Sequence, residues 1–434
     1  MLVEYFQLAQ SDGRYLVEPA YERNRVMSGR RIRLIAMGAA ASALVALPLV
    51  AQQRPASGPI ARYDMRAGTI GGMGAMGQGA GAAMGMMLGG RANQSQHELY
   101  LRLGSSRAPD RGGPKADHFM PAGAKLGKSV PLVTPREEKV VGDSFPQERP
   151  KGRLLVFWGC GDHAPRGQPV VIDFARLAAG QIPDGVWTSA IIRDWGPTLE
   201  NSRTFGRWPA EDNKFVKPDS SLLGAHRVAG NYSPEISFTL VKDFMQPLRV
   251  TTAAQASGAT LLRWNAVPDA TGYLATLFGG KQGPNGETGD MVMWTSSASR
   301  QFGGGLNDWL TPAQVAGLVR DRTVLAPATT TCTIPVEVRN AAPDFRAGML
   351  TAFGPMEEFS YPPRPADART PWNLEWSARI RHRSFTSWME AEGMTMGTSG
   401  GDQAPAEPQA NPDRCPPRRG GLGGILGGVL RPGC

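Results

Sequence analysis

The stretch whose reading decides the fold is LLRWNAVPDATGYLATLFG, residues 261–279. Leu261, Leu262 and Trp264 read as the end of one strand. Val267-Pro268-Asp269-Ala270 supplies turn chemistry, because Pro pre-sets φ and Asp bonds its own backbone. Tyr273 and the apolar run after it read as the next strand. Trp264 and Tyr273 are large rings, and such rings dominate core energetics. Upstream, PLRVTT (247–252) forms a preceding strand. Downstream, DMVMWTSS (290–297) forms another, and GMLTAFGP (348–355) a closing one. Between them Cys332, Ile334, Val336 and Val338 alternate with Thr333, Pro335, Glu337 and Arg339, a period of two that reads as a strand. Pro335 lacks an N–H donor and places that strand at an edge or a bulge. A helix is expected at Pro312–Val319, with Thr311 as N-cap, Pro312 in the first turn and Gln314 completing a capping box.

With these residues in place, the segment 246–361 resembles a divergent fibronectin type III-like domain, an Ig-like β-sandwich. Trp264, the Val-Pro-Asp-Ala turn and Tyr273 carry the resemblance, as its B–C region. No Tyr occupies the tyrosine-corner position near Thr331 or Cys332. The resemblance implies an antiparallel sandwich. The rest of the chain resembles exported bacterial proteins in its layout.

Residues 93–245 read as a second β-rich domain. In HELYLRLGS (97–105), Leu99, Leu101 and Leu103 alternate with Glu98, Tyr100 and Arg102. RLLVFWG (153–159), PVVIDF (169–174), WTSAII (187–192) and ISFTLVKDF (236–244) are further strands, with a short helix at Phe174–Ala179. The Pro-, Gly- and charge-rich residues 105–150 read as a surface excursion. Residues 362–396 add one strand through Leu374, Trp376, Ala378 and Ile380, returning to the first domain or bridging the two. The expected fold is therefore mainly β: two antiparallel β-sandwich-type domains in tandem, flanked by a disordered Gly/Met-rich linker (52–92) and a disordered Gly/Pro-rich tail (397–434).

The chain opens with an export layout. Met27 begins MSGRRIRLIAMGAAASALVALPLVAQQ, in which Arg30, Arg31 and Arg33 form a basic n-region. Leu34 to Val50 is uncharged, and Ala51 is a small residue suited to cleavage, so residues 27–51 read as a Sec-type signal peptide. Retention as a membrane anchor is the alternative. Residues 1–26 hold four acids and read as an upstream extension, with Met27 the initiator. These features place the mature chain in the periplasm, at the outer membrane or outside the cell. An oxidising compartment permits disulfides. Cys415 and Cys434 form the natural local pair, while Cys160 and Cys332 read as buried small apolar residues.

The net charge is +9. All of the excess falls before residue 154, so the linker and the first long loop are basic and the remaining β part is neutral. This suggests contact of the N-terminal linker with an anionic envelope surface. Export argues against a nucleic-acid partner. Gly77, Gly81, Gly85 and Gly89 recur every fourth residue, as do Gly420, Gly424 and Gly428. On a helix each set would form a small-residue ridge; a linker and a tail are the alternatives. Met73, Met76, Met84, Met86 and Met87 have no His or Cys beside them, which argues against a copper(I) site.

The search for chemistry assigns no catalytic, cofactor-binding or metal-ligating residue. Gly397-Thr398-Ser399-Gly400-Gly401 satisfies GxSxG without the strand before and the helix after that a nucleophile elbow needs. Gly142-Asp143-Ser144 reads as a turn. Cys160 with His163 three residues on has the makings of a nucleophile and base, but fits a structural Cys or a disulfide better. His97, His118, His163, His226 and His382 are scattered. Asp173, Asp194 and Glu235 lie near strand ends and read as solvated or capping residues, although paired carboxylates for glycoside hydrolysis are defined spatially. Trp187, Trp195, Trp208 and Trp294 could line a sugar-binding face or pack a core. The expected function is a non-enzymatic envelope protein that binds a protein or polysaccharide partner. The alternative is a hydrolase or carbohydrate-binding protein of wall or capsule glycans.

Overall fold

The computed structural model describes residues 58–72, 75, 95–135, 152–178, 181, 192, 194, 196–210, 215–282, 288–301, 305–306, 308–367, 369–391 and 394–396. The signal segment, the two glycine repeats, the Met set, Trp187, Trp195, Cys415, Cys434 and the GxSxG and Gly-Asp-Ser segments lie outside them.

The chain is mainly β. In order its strands are β1 (Ala61–Gly72), β2 (Gln96–Ser105), β3 (Ala116–Phe119), β4 (Ser129–Pro131), β5 (Arg153–Trp158), β6 (Val170–Asp173), β7 (Thr204–Trp208), β8 (Phe215–Val216), β9 (Gly224–Gly230) and β10 (Ile236–Leu240). They continue with β11 (Val250–Ala254), β12 (Thr260–Trp264), β13 (Gly272–Gln282), β14 (Thr288–Thr295), β15 (Thr331–Ile334), β16 (Phe345–Tyr361), β17 (Trp376–Ala391) and β18 (Met394–Met396). Three helices are described: α1 (Phe174–Ala178), α2 (Pro312–Arg320) and α3 (Val336–Ala341). The capping box of α2 forms as expected, with Thr311 Oγ1 accepting from the Gln314 amide and Gln314 Oε1 accepting from the Thr311 amide.

One 11-stranded sheet runs β6-β5-β14-β13-β16-β17-β1-β2-β7, with β18 beside β17 and β8 beside β2. A four-stranded sheet, β10-β9-β3-β4, and a three-stranded sheet, β11-β12-β15, accompany it. The long sheet presents one apolar face to both. Tyr63, Met65 and Ala67 of β1, Leu99, Leu101 and Leu103 of β2 and Trp376, Ala378 and Ile380 of β17 share a core with Val228, Ile236 and Phe238 of the four-stranded sheet. Tyr273, Leu277, Trp294, Leu350 and Trp388 share another with Val250, Leu262, Trp264, Cys332 and Ile334 of the three-stranded sheet. Trp264 and Tyr273 meet with ring centroids 5.7 Å apart, and the Tyr273 hydroxyl accepts from the Val267 amide across the turn.

Several expectations are corrected. In place of two sandwiches in tandem, a single long sheet takes strands from both halves of the chain and is shared by two small sheets. The interval 52–92 is not all linker: β1 lies inside it, buried on both faces, parallel to β17 and antiparallel to β2. Its Gly-rich composition and its Asp64 and Arg66 conceal a strand because those charges are paired inside the fold. Residues 105–150 are more than a surface excursion, since they carry β3 and β4 and the core residues Ala116, Ala124, Val130 and Leu132. The expected strand through Val338 stops at Ile334. Pro335, with no donor to continue the ladder, precedes α3, and Val338 is buried from a helix. The segment ending at GMLTAFGP is not closed by β16, because β17 pairs along it on its far side.

Cys160 and Cys332 are not separate apolar residues. They form a disulfide with a Cα–Cα distance of 5.2 Å. It joins the turn after β5, at the end of the long sheet, to β15 of the three-stranded sheet. Backbone bonds from the Gly161 amide to the Thr333 carbonyl and from the Val336 amide to the Asp162 carbonyl flank it.

Candidate functional site

The reverse face of the long sheet is charged where β2, β1 and β17 lie side by side. The register puts nine residues in three rows: Arg102, Asp64 and Arg379; Tyr100, Arg66 and Arg381; Glu98, Gly68 and Arg383. Alternation forces this. The odd residues of β1 and β2 enter the apolar core, so their even residues share the other face. Gly68 is required in its row, since a Cβ there would stand 2.3 Å from Glu98 Oε1. With no side chain between them, Glu98 reaches across to Arg383 at 2.8 Å.

Two acids from elsewhere complete the array, Asp194 and Asp308. Asp64 is 1% exposed and accepts from Arg66 Nε at 3.0 Å, Arg379 Nε at 3.2 Å and Arg381 Nη2 at 2.7 Å. Asp194 is bound by Arg66, by Arg381 at 3.1 Å and by Arg379 at 3.5 Å, with Arg102 at 3.7 Å. Burial alone would raise the Asp64 carboxyl, but Arg66, Arg381 and Arg379 override it and hold it at about 2. Arg102 is pushed the other way: burial, then the adjacent Arg66, lowers its hold on its proton. Asp308 is the exposed acid, 42% open, 3.6 Å from Arg66 Nη1.

Trp309 covers the array. Its carbonyl accepts from Arg381 Nη1, Arg383 lies 4.1 Å from its ring centre, and the Tyr100 ring stands nearly perpendicular to it at 6.4 Å. Two cavities adjoin here and share Asp308 and Trp309. The first, about 160 Å³, is lined by Ile192, Asp194, Leu310, Gln314, Arg379 and Arg381. The second, about 220 Å³, is lined by Arg66, Tyr100, Arg102, Arg207, Trp208 and Arg383. The buried Nε atoms of Arg381 and Arg207 have no hydrogen-bond partner among the described residues.

The two carboxylates at the centre of the array do not form a proton-transfer pair. Asp64 and Asp194 are brought together on the Nη2 of Arg381, yet each is committed to guanidinium groups, and a carboxyl at about 2 is no proton donor near neutrality. No histidine lines either cavity. Among the described residues no group of three or more His, Cys, Asp and Glu side chains could hold a metal ion.

The residues weighed from sequence are dispersed. Of the three carboxylates, only Asp194 reaches this site. Asp173 Oδ1 accepts from the Ala175 and Arg176 amides at the start of α1, and Glu235 pairs with Arg227 at the surface. Cys160 is oxidised, so its sulfur is not a nucleophile, and His163 instead meets Glu337 at 3.0 Å. Trp208 borders the larger cavity but packs in the core shared with the four-stranded sheet, and Trp294 is core and donates to the Gly159 carbonyl. Sequence reading missed Asp64, Arg66, Arg102, Arg207, Trp309, Arg379, Arg381 and Arg383. The alternate arginines of RIRHR (379–383) were the available signal.

A second polar cluster is sealed inside the other core. Tyr63 O–H donates to His118 Nδ1 at 2.6 Å, His118 Nε2 lies 3.0 Å from His226 Nδ1, and His226 Nε2 lies 2.7 Å from the Leu222 carbonyl. The carbonyl accepts only, so His226 is protonated at Nε2 and His118 donates to its Nδ1. Every bond is then satisfied with both rings neutral. Burial drives both histidines below their ordinary value.

No family model matches the chain, and no curated protein or solved structure matches it.

Proposed function

We propose that this chain is an exported cell-envelope protein whose β-sandwich body binds a partner and performs no catalysis. The observation that carries the reading is the Cys160–Cys332 disulfide, because bonds of this kind persist in oxidising compartments and are rare where thiols are kept reduced. The signal-like segment 27–51 agrees with it. Within residues 246–361, β11-β12-β15 face β14-β13-β16 across one core, which supports the fibronectin type III-like resemblance.

The partner is an envelope protein or polysaccharide. The basic segment 52–92 is a weaker candidate for an anionic membrane surface than its composition implies: Arg62 donates to Asn201 and Arg66 is bound to Asp64 and Asp194. The alternative of a glycan-directed protein gains from the aromatic lining of the two cavities. Its hydrolytic form is disfavoured by the ion-paired state of Asp64 and Asp194.

The test is fractionation of cells producing the full chain, with thiol alkylation before lysis. The expected result is a chain in the envelope or medium, lacking residues 1–51, with Cys160 and Cys332 resistant to alkylation. A cytoplasmic chain with both thiols alkylated overturns the reading.

A further inference from the structure

We infer that the paired cavities around Trp309 are two neighbouring subsites for an acidic oligosaccharide, each taking a pyranose unit, with a sugar carboxylate held by guanidinium groups. The inference deepens the reading of an envelope binding protein and rests on it for the ligand's whereabouts.

Charge gives the sign of the ligand. Arg66, Arg102, Arg207, Arg379, Arg381 and Arg383 surround four carboxylates, those of Asp64, Glu98, Asp194 and Asp308. Two positive charges remain over, and the acids are engaged. Arg381 Nε and Arg207 Nε are buried donors without acceptors among the described residues, one at each cavity. A buried donor left unmade is costly, so each position calls for an incoming oxygen. Guanidinium is the group best matched to carboxylate, through paired, charge-assisted bonds.

Shape and lining give the class. The cavities are about 160 and 220 Å³, room for one ring each, not for an extended peptide. Tyr100 and Trp309 offer apolar ring surface to the C–H face of a sugar, and Asp308 stands open to solvent where the two cavities meet. A free inorganic anion would use the arginines and waste the aromatic walls. Two like cavities meeting at one Asp–Trp pair fit a ligand that repeats.

The experiment is calorimetric titration of the purified, oxidised protein with trigalacturonic acid. The comparison ligands are maltotriose, a neutral trisaccharide, and inorganic phosphate. The expected result is binding of the acidic trimer at least about tenfold tighter than either comparison ligand, weakening with salt. Arg207→Gln is expected to weaken it about tenfold with thermal stability unchanged. Asp308→Asn, at an exposed side chain, is expected to leave the fold intact and to tighten the acidic trimer by removing a repelling charge. Equal affinity for acidic and neutral trimers, equal affinity for phosphate, or no binding of the acidic trimer overturns the proposal. None of these outcomes bears on export, which the fractionation decides separately.

Discussion

Replacing Cys160 and Cys332 together by Ala removes the one described covalent tie between the long sheet and the three-stranded sheet. The two residues are 172 positions apart. Closing a loop of that size in the unfolded chain costs about 17 cal/mol/K, or about 5 kcal/mol at 25 °C, on the chain-entropy relation. That figure is a ceiling, since bridges that close long loops commonly return less. Ala suits Cys332, which is buried among Leu262, Ile334 and Val338, because it introduces no hydroxyl. The native bonds that flank the bridge, Gly161 to Thr333 and Val336 to Asp162, stay in place, so the folded state changes little. Urea unfolding followed by tryptophan fluorescence reads the effect. The double variant is expected to lose about 3–5 kcal/mol, and its denaturant slope to rise, because an uncrosslinked unfolded chain exposes more surface. Treating the wild type with reductant is expected to reproduce both changes. An unchanged midpoint and slope, or peptide mapping that joins Cys160 to Cys415 or Cys434, refutes the reasoning.

Three further outcomes are expected. The neutral His118–His226 pair has folded-state values below 6.5, so the unfolded chain takes up protons first as pH falls. Stability holds above about pH 6.5 and drops below it by up to about 1.4 kcal/mol per pH unit for each histidine; a melting temperature that does not change from pH 7 to pH 5 would contradict this. Asp64→Asn strips the shared acceptor from Arg66, Arg379 and Arg381 and is expected to cost about 3–5 kcal/mol, measured by urea unfolding at neutral pH; a loss under about 1 kcal/mol would mean the cluster is solvated. Gly348→Ala puts a Cβ 2.1 Å from the Trp388 ring and is expected to destabilise by about 1–3 kcal/mol, whereas Gly113→Ala meets nothing within 4 Å and is expected to be neutral. Similar melting temperatures for these two variants would refute the packing of Trp388.

The legible parts of the fold are those whose physics is local. The Trp264–turn–Tyr273 unit, the capping box at Thr311 and the alternation of Leu99, Leu101 and Leu103 each depend on neighbours within a few residues. What escaped depends on partners far along the chain. β1 reads as low-complexity sequence because its Gly68 is needed by Glu98 and its Asp64 by arginines on another strand. The candidate site shares this difficulty. Arg66, Arg102 and Arg381 look like surface charge until the register stacks them on one face, and a buried arginine cluster has no spacing rule of its own. The disulfide was hidden for the same reason: proximity of Cys160 and Cys332 is a property of the sheets. Pro335 did carry its message, an interrupted ladder, but a helix follows it where a strand was expected to run on.

The parallel pairing of β1 with β17 has a consequence in time. Asp64 and Arg381, bonded neighbours in the sheet, are 317 residues apart. β1 ends at Gly72 and β17 begins at Trp376, so β1 emerges long before its partner and the middle of the long sheet closes only once both are present. Until then β1 and β2 present an unpaired apolar edge, the kind that recruits foreign strands. A chain truncated before β17 is therefore expected to aggregate however well its other strands have formed.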